Sequence, residues 1–340
     1  MRAFVIEAPG RTRVSDVPAP PPPGPDEVLL KTLRVGMCGT DLSTFRGRNP
    51  LVSYPRIPGH EIAAQIEQTG ANVPARFHAG MYVTLSPYTN CGKCASCRRG
   101  RPNACQFNQT LGVQREGAMT ELFLAHWSKL YIADGLSIRD LSVVEPLSVG
   151  FHAAARGRVV REDTVAVIGC GVVGLGAIAA SNFRGARTIA IDIDDRKLAV
   201  AGEAGATHLI NTSTQNLHES LAELTDGLGP DVLIEAVGSP ATFRAAIEEV
   251  AYTGRVVYIG YAKEPVEYET RFFLLKELDI LGSRNALDEF STVIAALQQG
   301  RFPVDRIISL VTSIDEAGAA IEQWSNNPGA FVKIQVSLEN

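Results

Sequence analysis

The sequence predicts an α/β protein in two parts, a mostly antiparallel β unit followed by a doubly wound parallel sheet with helices on both faces. Three observations carry this. At 340 residues the chain exceeds one ordinary core and suits two domains. Up to Glu145 it consists of short β-type runs cut by Pro and Gly. Beyond Glu145 strand and helix patterns alternate, and the strand candidates are near-continuous apolar runs, as a sheet covered on both faces requires.

Taken in order, the first part offers "EVLLKTLRVGMC", "EIAAQIEQTG" and "MYVTLSP" as strands, with "PAPPPPGP" as a rigid connector. A helix "PLSVGFHAAAR" is expected to begin with Pro146 and stop at Gly157, since Pro suits a first helical position. Six strands follow: "TVAVIG", "ARTIAID", "THLIN", "PDVLIEAVG", "GRVVYIG" and "LDILGS". Helices such as "DRKLAVAGEAG", "NLHESLAELTDG" and "PATFRAAIEEVAYTG" separate them. One more helix, "LDEFSTVIAALQQG", precedes short runs that return to the first unit. The expected domains are 1–146, 147–285 and, rejoining the first, 286–340.

Composition narrows the class. With 45% hydrophobic and 20% charged residues and a net charge of −5, the chain reads as a soluble globular protein, with no polyanionic partner for the chain as a whole. The charge is uneven, however: between Glu67 and Glu116 there is no acid, while Arg76, Lys93, Arg98, Arg99, Arg101 and Arg115 are all basic. The N-terminus "MRAFVIEAPGRTRV" lacks a secretory pattern, which favours the cytoplasm. Thiols there stay reduced, so the six cysteines read as metal ligands before disulfides. Thr164 to Phe183 is uncharged and long enough for a membrane span, but its four glycines suit a buried strand, a turn and a buried helix, so no membrane is expected.

That glycine turn has a chemical reading. GxGxxG falls at Gly169, Gly171 and Gly174, ending a strand and opening a helix, and the next strand ends in Asp192. In a dinucleotide site such glycines let the backbone approach a pyrophosphate at the helix N-terminus, and the acid accepts hydrogen bonds from ribose hydroxyls. A carboxylate repels a 2′-phosphate, so NAD is expected rather than NADP. Lys197 reads equally as a neighbour of the adenosine or as a solvated helix residue. Cys170, inside the turn, reads as a small buried side chain.

Two sets of residues read as metal sites. Cys91, Cys94, Cys97 and Cys105 follow CxxCxxCx7C, and four thiolates so close can close a tetrahedron around Zn²⁺ with no open position, which makes it structural. An iron–sulfur cluster also suits such spacing, but nothing else suggests electron transfer. Zinc with four thiolates carries −2, so the arginines around it can offset that charge or face a partner. The second set is Cys38 in "GMCGTD", His60 and Glu61 in "PGHE", and Glu145 in "VEPLS". A thiolate, an imidazole and one or two carboxylates leave a position for water or a substrate oxygen, as metal-assisted chemistry needs.

With these motifs in their order, the sequence resembles the zinc-dependent medium-chain alcohol dehydrogenase superfamily, within it the sorbitol dehydrogenase-like polyol branch. The carrying residues are "GMCGTD", "PGHE", the four-cysteine lobe (about 88–108), "VEPLSV", the GxGxxG with Asp192, and "GSRNA", covering essentially the whole chain. The resemblance implies a GroES-like catalytic domain around a Rossmann domain, and homodimers or homotetramers. It implies a catalytic zinc on Cys38, His60 and Glu61, with Glu145 a fourth ligand or acting through water, and a structural zinc on the cysteine lobe. By the same likeness Val172, Val173, Val237, Gly238, Ile259, Gly260, Ser283 and Arg284 would line NAD, Arg284 also reaching toward the substrate mouth. Thr40 would accept the substrate hydroxyl proton. Many relatives carry His five residues after the zinc Cys to pass that proton on; this chain has Ser43, and either Ser43 through the ribose and water or Glu145 through metal-bound water would replace it, the second preferred because a carboxylate is the better base.

The resemblance implies a polyol or a sugar acid such as L-galactonate or L-gulonate as substrate, with Arg46, Arg48 and Arg115 available to meet a carboxylate. An L-threonine 3-dehydrogenase-like activity shares "CGTD" and "GHE" but usually has the relay His. Other classes find less. No Lys has a Tyr four residues before it, as a short-chain dehydrogenase needs, and no GxSxG is present for a serine hydrolase. A zinc-anchored nucleic-acid binder would need aromatics among the basic residues, and only Tyr88 and Phe107 lie near. No nucleic-acid partner is expected.

Overall fold

The computed structural model describes residues 1–300 and 302–339. Contacts divide the chain into two units, Met1–Glu145 with Val304–Asn340, and Pro146–Pro303.

The first unit is built on the strand Glu27–Met37, which pairs antiparallel with Glu61–Thr69, Leu122–His126 and Lys333–Ser337. Its sheet runs Ile308–Ser313, Lys333–Ser337, Glu27–Met37, Glu61–Thr69, Tyr82–Leu85, Leu130–Ile132, and only the first two of these pair in parallel. Val28, Leu30 and Thr32 are buried in alternation, as one covered face of a strand dictates. At Leu33 the register against Glu61–Thr69 slips by one, and burial moves from even to odd positions, to Val35 and Met37. This bulge keeps the apolar residues on the core side up to Met37. The core behind it includes Phe4, Ile6, Ile62, Met119 and Trp324.

The second unit is a six-stranded parallel sheet in the order His208–Asn211, Arg187–Asp192, Thr164–Ile168, Val232–Glu235, Arg255–Tyr258, Asp279–Gly282. Numbered along the chain, that is 3-2-1-4-5-6, with the strand order reversing beside Thr164–Ile168; ligands bind at the carboxyl ends of such sheets. Among the described residues no helix is long and apolar enough to cross a membrane. The run Thr164 to Phe183 is the first sheet strand, the glycine turn and the helix Val172–Phe183.

Two boundaries differ from the sequence reading. The helix expected from Pro146 runs Val144–Arg156. Pro146 is its third residue, and the first-turn amides have no intrahelical acceptor, so a missing N–H costs nothing there. The return to the first unit, expected at 286, comes at Val304. Residues 286–303 stay with the second unit because the helix Glu289–Gln298 buries Phe290 and Val293, and Glu289 holds the ring of His152 at 2.7 Å.

Two glycines of the turn separate folding from binding. A Cβ on Gly174 would overlap the carbonyl of Gly169, whereas one on Gly171 would meet nothing within 4 Å. Gly174→Ala is expected to lower stability by about 1–3 kcal/mol, and Gly171→Ala by no more than about 0.5 kcal/mol. Urea unfolding of the two variants checks this; equal losses would contradict it.

Candidate active site

Three strand ends converge in the first unit. Cys38 follows Glu27–Met37 and opens the helix Gly39–Phe45, its amide donating to Asp41 Oδ2 at 2.8 Å. His60 precedes and Glu61 opens the neighbouring strand, where Glu61 sits opposite Gly36. Gly36 is required here, since any Cβ would occupy the space of the Glu61 carboxylate. Lys333, first residue of the last strand, reaches in from the other side. Its buried Nζ donates to both Glu61 oxygens at 2.6 Å and to the Met37 carbonyl at 3.0 Å. Cys38 Sγ, a His60 ring nitrogen and a Glu61 oxygen lie within 4.8 Å of one another.

The electrostatics explain what such a cluster lacks. Asp41, Glu61 and Glu145 are all buried, with Lys333 their one buried lysine. Burial raises the Asp41 carboxyl above its ordinary range. Burial, helped by the charge of Glu61, raises Glu145 to about 7 against the opposing pull of His60. Burial opposes a charge on His60, yet Cys38 and Asp41 outweigh it and hold the imidazole well above its usual value. His60 Nδ1 and Asp41 Oδ1, 4.0 Å apart, are buried without hydrogen-bond partners. Excess buried negative charge beside a thiol, an imidazole and a carboxylate fits a divalent cation, and the donor set is that of zinc sites with an open position. Asp41 facing the second ring nitrogen would fix the ring, as carboxylates do behind metal-binding histidines.

Glu145 does not join the close triad; it accepts a hydrogen bond from the hydroxyl of buried Tyr88. Thr40 Oγ1 lies 3.7 Å from Cys38 Sγ. Ser43 is half-buried, its carbonyl accepting from the Arg48 amide at 2.8 Å. Arg46, expected to be available for a substrate carboxylate, is taken up by Ser325, whose hydroxyl accepts from Nε at 3.0 Å and whose carbonyl accepts from Nη2. Arg48 is exposed and Arg115 half-buried.

The second set is gathered as the spacing implies. Cys91, Cys94, Cys97 and Cys105 place their sulfurs within 4.8 Å of one another. Backbone amides of Cys94, Cys91 and Phe107 donate to these sulfurs at 3.3 to 3.4 Å, which favours thiolates and so suits Zn²⁺.

The dinucleotide candidates lie along the carboxyl edge of the parallel sheet. Gly169, at φ 99°, ends the first strand, and Gly171 caps the helix that starts with Val172, Val173 and Gly174. Asp192 ends the second strand and also ties the turn together: its Oδ2 accepts from the Cys170 amide and its Oδ1 from the Ile193 amide, both at 2.7 Å. Lys197 lies in the helix Asp195–Glu203, its charge reaching Cys170. Val237 and Gly238 follow the fourth strand with their amides on Glu235 Oε1, and Ile259 and Gly260 follow the fifth. Ser283 and Arg284 follow the sixth, and Ser283 Oγ is buried without a partner. Open space beside Gly171 at a helix N-terminus, an acid on the next strand and an orphaned hydroxyl fit a dinucleotide.

Tyr88, Lys333 and Asp41 were not singled out from the sequence. Lys333 had a signal: a lysine between apolar residues in "FVKIQVS".

Comparison with known proteins gives the family. Residues 24–134 match the alcohol dehydrogenase GroES-like domain and residues 172–299 the zinc-binding dehydrogenase family. Sorbitol dehydrogenase of Bacillus subtilis (strain 168) is 32% identical over 99% of this chain and 97% of its own. L-galactonate-5-dehydrogenase of Escherichia coli (strain K12) is 30% identical over 85% of each. Among solved structures, an alcohol dehydrogenase from E. coli CFT073 complexed with NADH is 28% identical, covers 99% of both chains and has a TM-score of 0.91. A putative zinc-binding dehydrogenase from Sinorhizobium meliloti 1021 bound to NADP is 30% identical, covers 99% and 98%, and scores 0.90. The fold is therefore a GroES-like unit with a Rossmann sheet. The chain belongs to the zinc-dependent medium-chain alcohol dehydrogenases, in the polyol and sugar-acid branch, a family of oxidoreductases.

The Glu61–Lys333 pair sets a testable cost. Lys333→Met in metal-free protein leaves a buried carboxylate uncompensated and is expected to destabilise the first unit by about 3–5 kcal/mol. Adding Glu61→Gln should recover most of that loss in a double-mutant cycle read by urea unfolding. Strictly additive losses would show that the pair is not coupled.

Proposed function

We propose that the chain is a zinc- and NAD-dependent dehydrogenase that interconverts a secondary alcohol of a polyol or sugar acid with its ketone. The observation that carries this reading is the meeting of Cys38, His60 and Glu61 within 4.8 Å, in a chain whose relatives include a sorbitol dehydrogenase and an L-galactonate-5-dehydrogenase. Two zinc ions per chain follow from the two donor sets, one at Cys38, His60 and Glu61 with Glu145 nearby, one at the four cysteines. NAD rather than NADP follows from Asp192, whose charge would repel a 2′-phosphate. Six free cysteines suit a reducing cytoplasm. The free outer edge of the parallel sheet at Asp279–Gly282, with Ile280 exposed, supports a homodimer or homotetramer.

When bound, zinc acidifies a hydroxyl and NAD accepts a hydride. The side chains supply the rest. Thr40, beside Cys38, would accept the substrate hydroxyl proton while passing its own hydroxyl proton on. Glu145, acting through water, would receive that proton rather than Ser43, because a carboxylate is the stronger base and Tyr88 holds it in place.

The test is NADH formation by the zinc-loaded protein on a panel of polyols, aldonates and amino alcohols. Turnover of a polyol or aldonate is expected, with kcat/KM for NADP lower by about tenfold or more. Glu145→Gln should shift the pH profile and Ser43→Ala should not. Turnover of L-threonine alone would move the chain to the threonine dehydrogenase type, and no turnover at all would overturn the reading.

A further inference from the structure

The acid-free stretch between Glu67 and Glu116 leaves a charge that the two metal sites do not explain. Arg76 is accounted for, stacked over Phe77 and Trp127. Lys93, Arg98 and Arg99 are exposed on the cysteine lobe. Arg115 is different: together with Lys129 it lines a cavity of about 340 Å³ in the first unit.

The walls of this cavity are fixed by backbone. The loop after Tyr82–Leu85 is tied to the turn His126–Lys129, with the Ser86 amide donating to the Lys129 carbonyl at 2.9 Å. Lys129 Nζ donates to Asn90 Oδ1 at 2.9 Å. No carboxylate lines the cavity. Glu116, next to Arg115 in the chain, is committed elsewhere, to Arg56 at 2.8 Å and the Ile57 amide at 2.7 Å. Among the described residues no carboxylate pairs with Arg115 or Lys129. Two half-buried cations thus share one cavity that no carboxylate lines. Burial lowers the pKa of Arg115, and burial together with the charge of Arg115 lowers that of Lys129, with Cys97 pulling the other way.

We propose that this cavity is an oxyanion site, in which Arg115 and Lys129 bind a phosphate or carboxylate group. A guanidinium offers a planar fork to two oxygens and an ammonium a point charge, the pairing that such groups favour. Tyr88 lines the cavity and donates its hydroxyl to Glu145, so one side chain separates the anion from the candidate metal centre. The oxyanion therefore has two sources, a free anion or the carboxylate of a sugar-acid substrate; the second rests on the proposed dehydrogenase activity.

The test is calorimetric titration of inorganic phosphate into the full-length, zinc-loaded protein, without substrate or cofactor. Saturable binding with a Kd below about 5 mM is expected, weakened by about tenfold or more in Arg115→Gln and in Lys129→Gln. Arg271→Gln, an exposed cation of the other unit, should bind as wild type does. Sulfate should displace phosphate from the unmodified protein, which needs no variant to fold. No saturable binding, or equal weakening by Arg271→Gln, would overturn the proposal. So would a Lys129→Gln variant that loses zinc but keeps its phosphate affinity, because Lys129 would then serve the cysteine thiolates alone. In turnover assays, phosphate raising KM for an aldonate but not for a polyol identifies the substrate carboxylate as the occupant. Phosphate raising neither identifies a free anion. Because binding is measured without turnover, its failure leaves the dehydrogenase reading untouched, and the reverse holds.

Discussion

The contact between Lys333 and Glu61 holds the first unit to its purpose. Each charge, buried alone, would cost several kcal/mol, and each is tolerated because the other is 2.6 Å away. The two residues stand on strands that flank Glu27–Met37, and they meet only because Gly36 leaves the space between them empty. The final strand is thus needed for the charge balance of a site whose other members come from the first 145 residues. A chain that leaves the first unit at Glu145 has a physical reason to return after Val304.

Even with that pair made, the site stays too negative for an apolar setting. Asp41 and Glu145 are buried beside it, and the orphaned atoms of His60 and Asp41 face each other beyond hydrogen-bonding distance. A bound cation would resolve all of these at once, which favours a metal centre over an ion-pair network. The cysteine lobe solves a different problem: its four sulfurs draw backbone amides around themselves, and an ion held by all four would have no open position.

Much of this was legible in the sequence because the residues that carry it are close in the chain. Cys38, His60 with Glu61, and the glycine turn with Asp192 sit at strand ends, Thr40 is in the helix that Cys38 opens, and the four cysteines share one loop, so local motif and spatial position coincide. The parallel sheet was legible because strands covered on both faces must be apolar throughout. What escaped the sequence depends on distant partners. A lysine in a strand is ordinarily solvated, and nothing near Lys333 in the chain announces Glu61. Tyr88 counted only as an aromatic near the cysteines, its hydroxyl meeting Glu145 across 57 positions. Arg46 looked free because Ser325 is 279 residues away. The point of return moved from 286 to 304 because the helix Glu289–Gln298 finds its partner in His152, a contact no periodicity reveals.

On this reading Cys38, His60 and Glu61 form a metal centre on which the buried charges depend. Anomalous diffraction at the zinc edge, from crystals of the protein purified without chelator, tests it most directly. Two peaks per chain are expected, one inside the cysteine tetrad and one at about 2.0–2.3 Å from Cys38 Sγ and a His60 nitrogen. A single peak at the cysteines, with Glu61 still held by Lys333 and His60 without a ligand, would contradict the account.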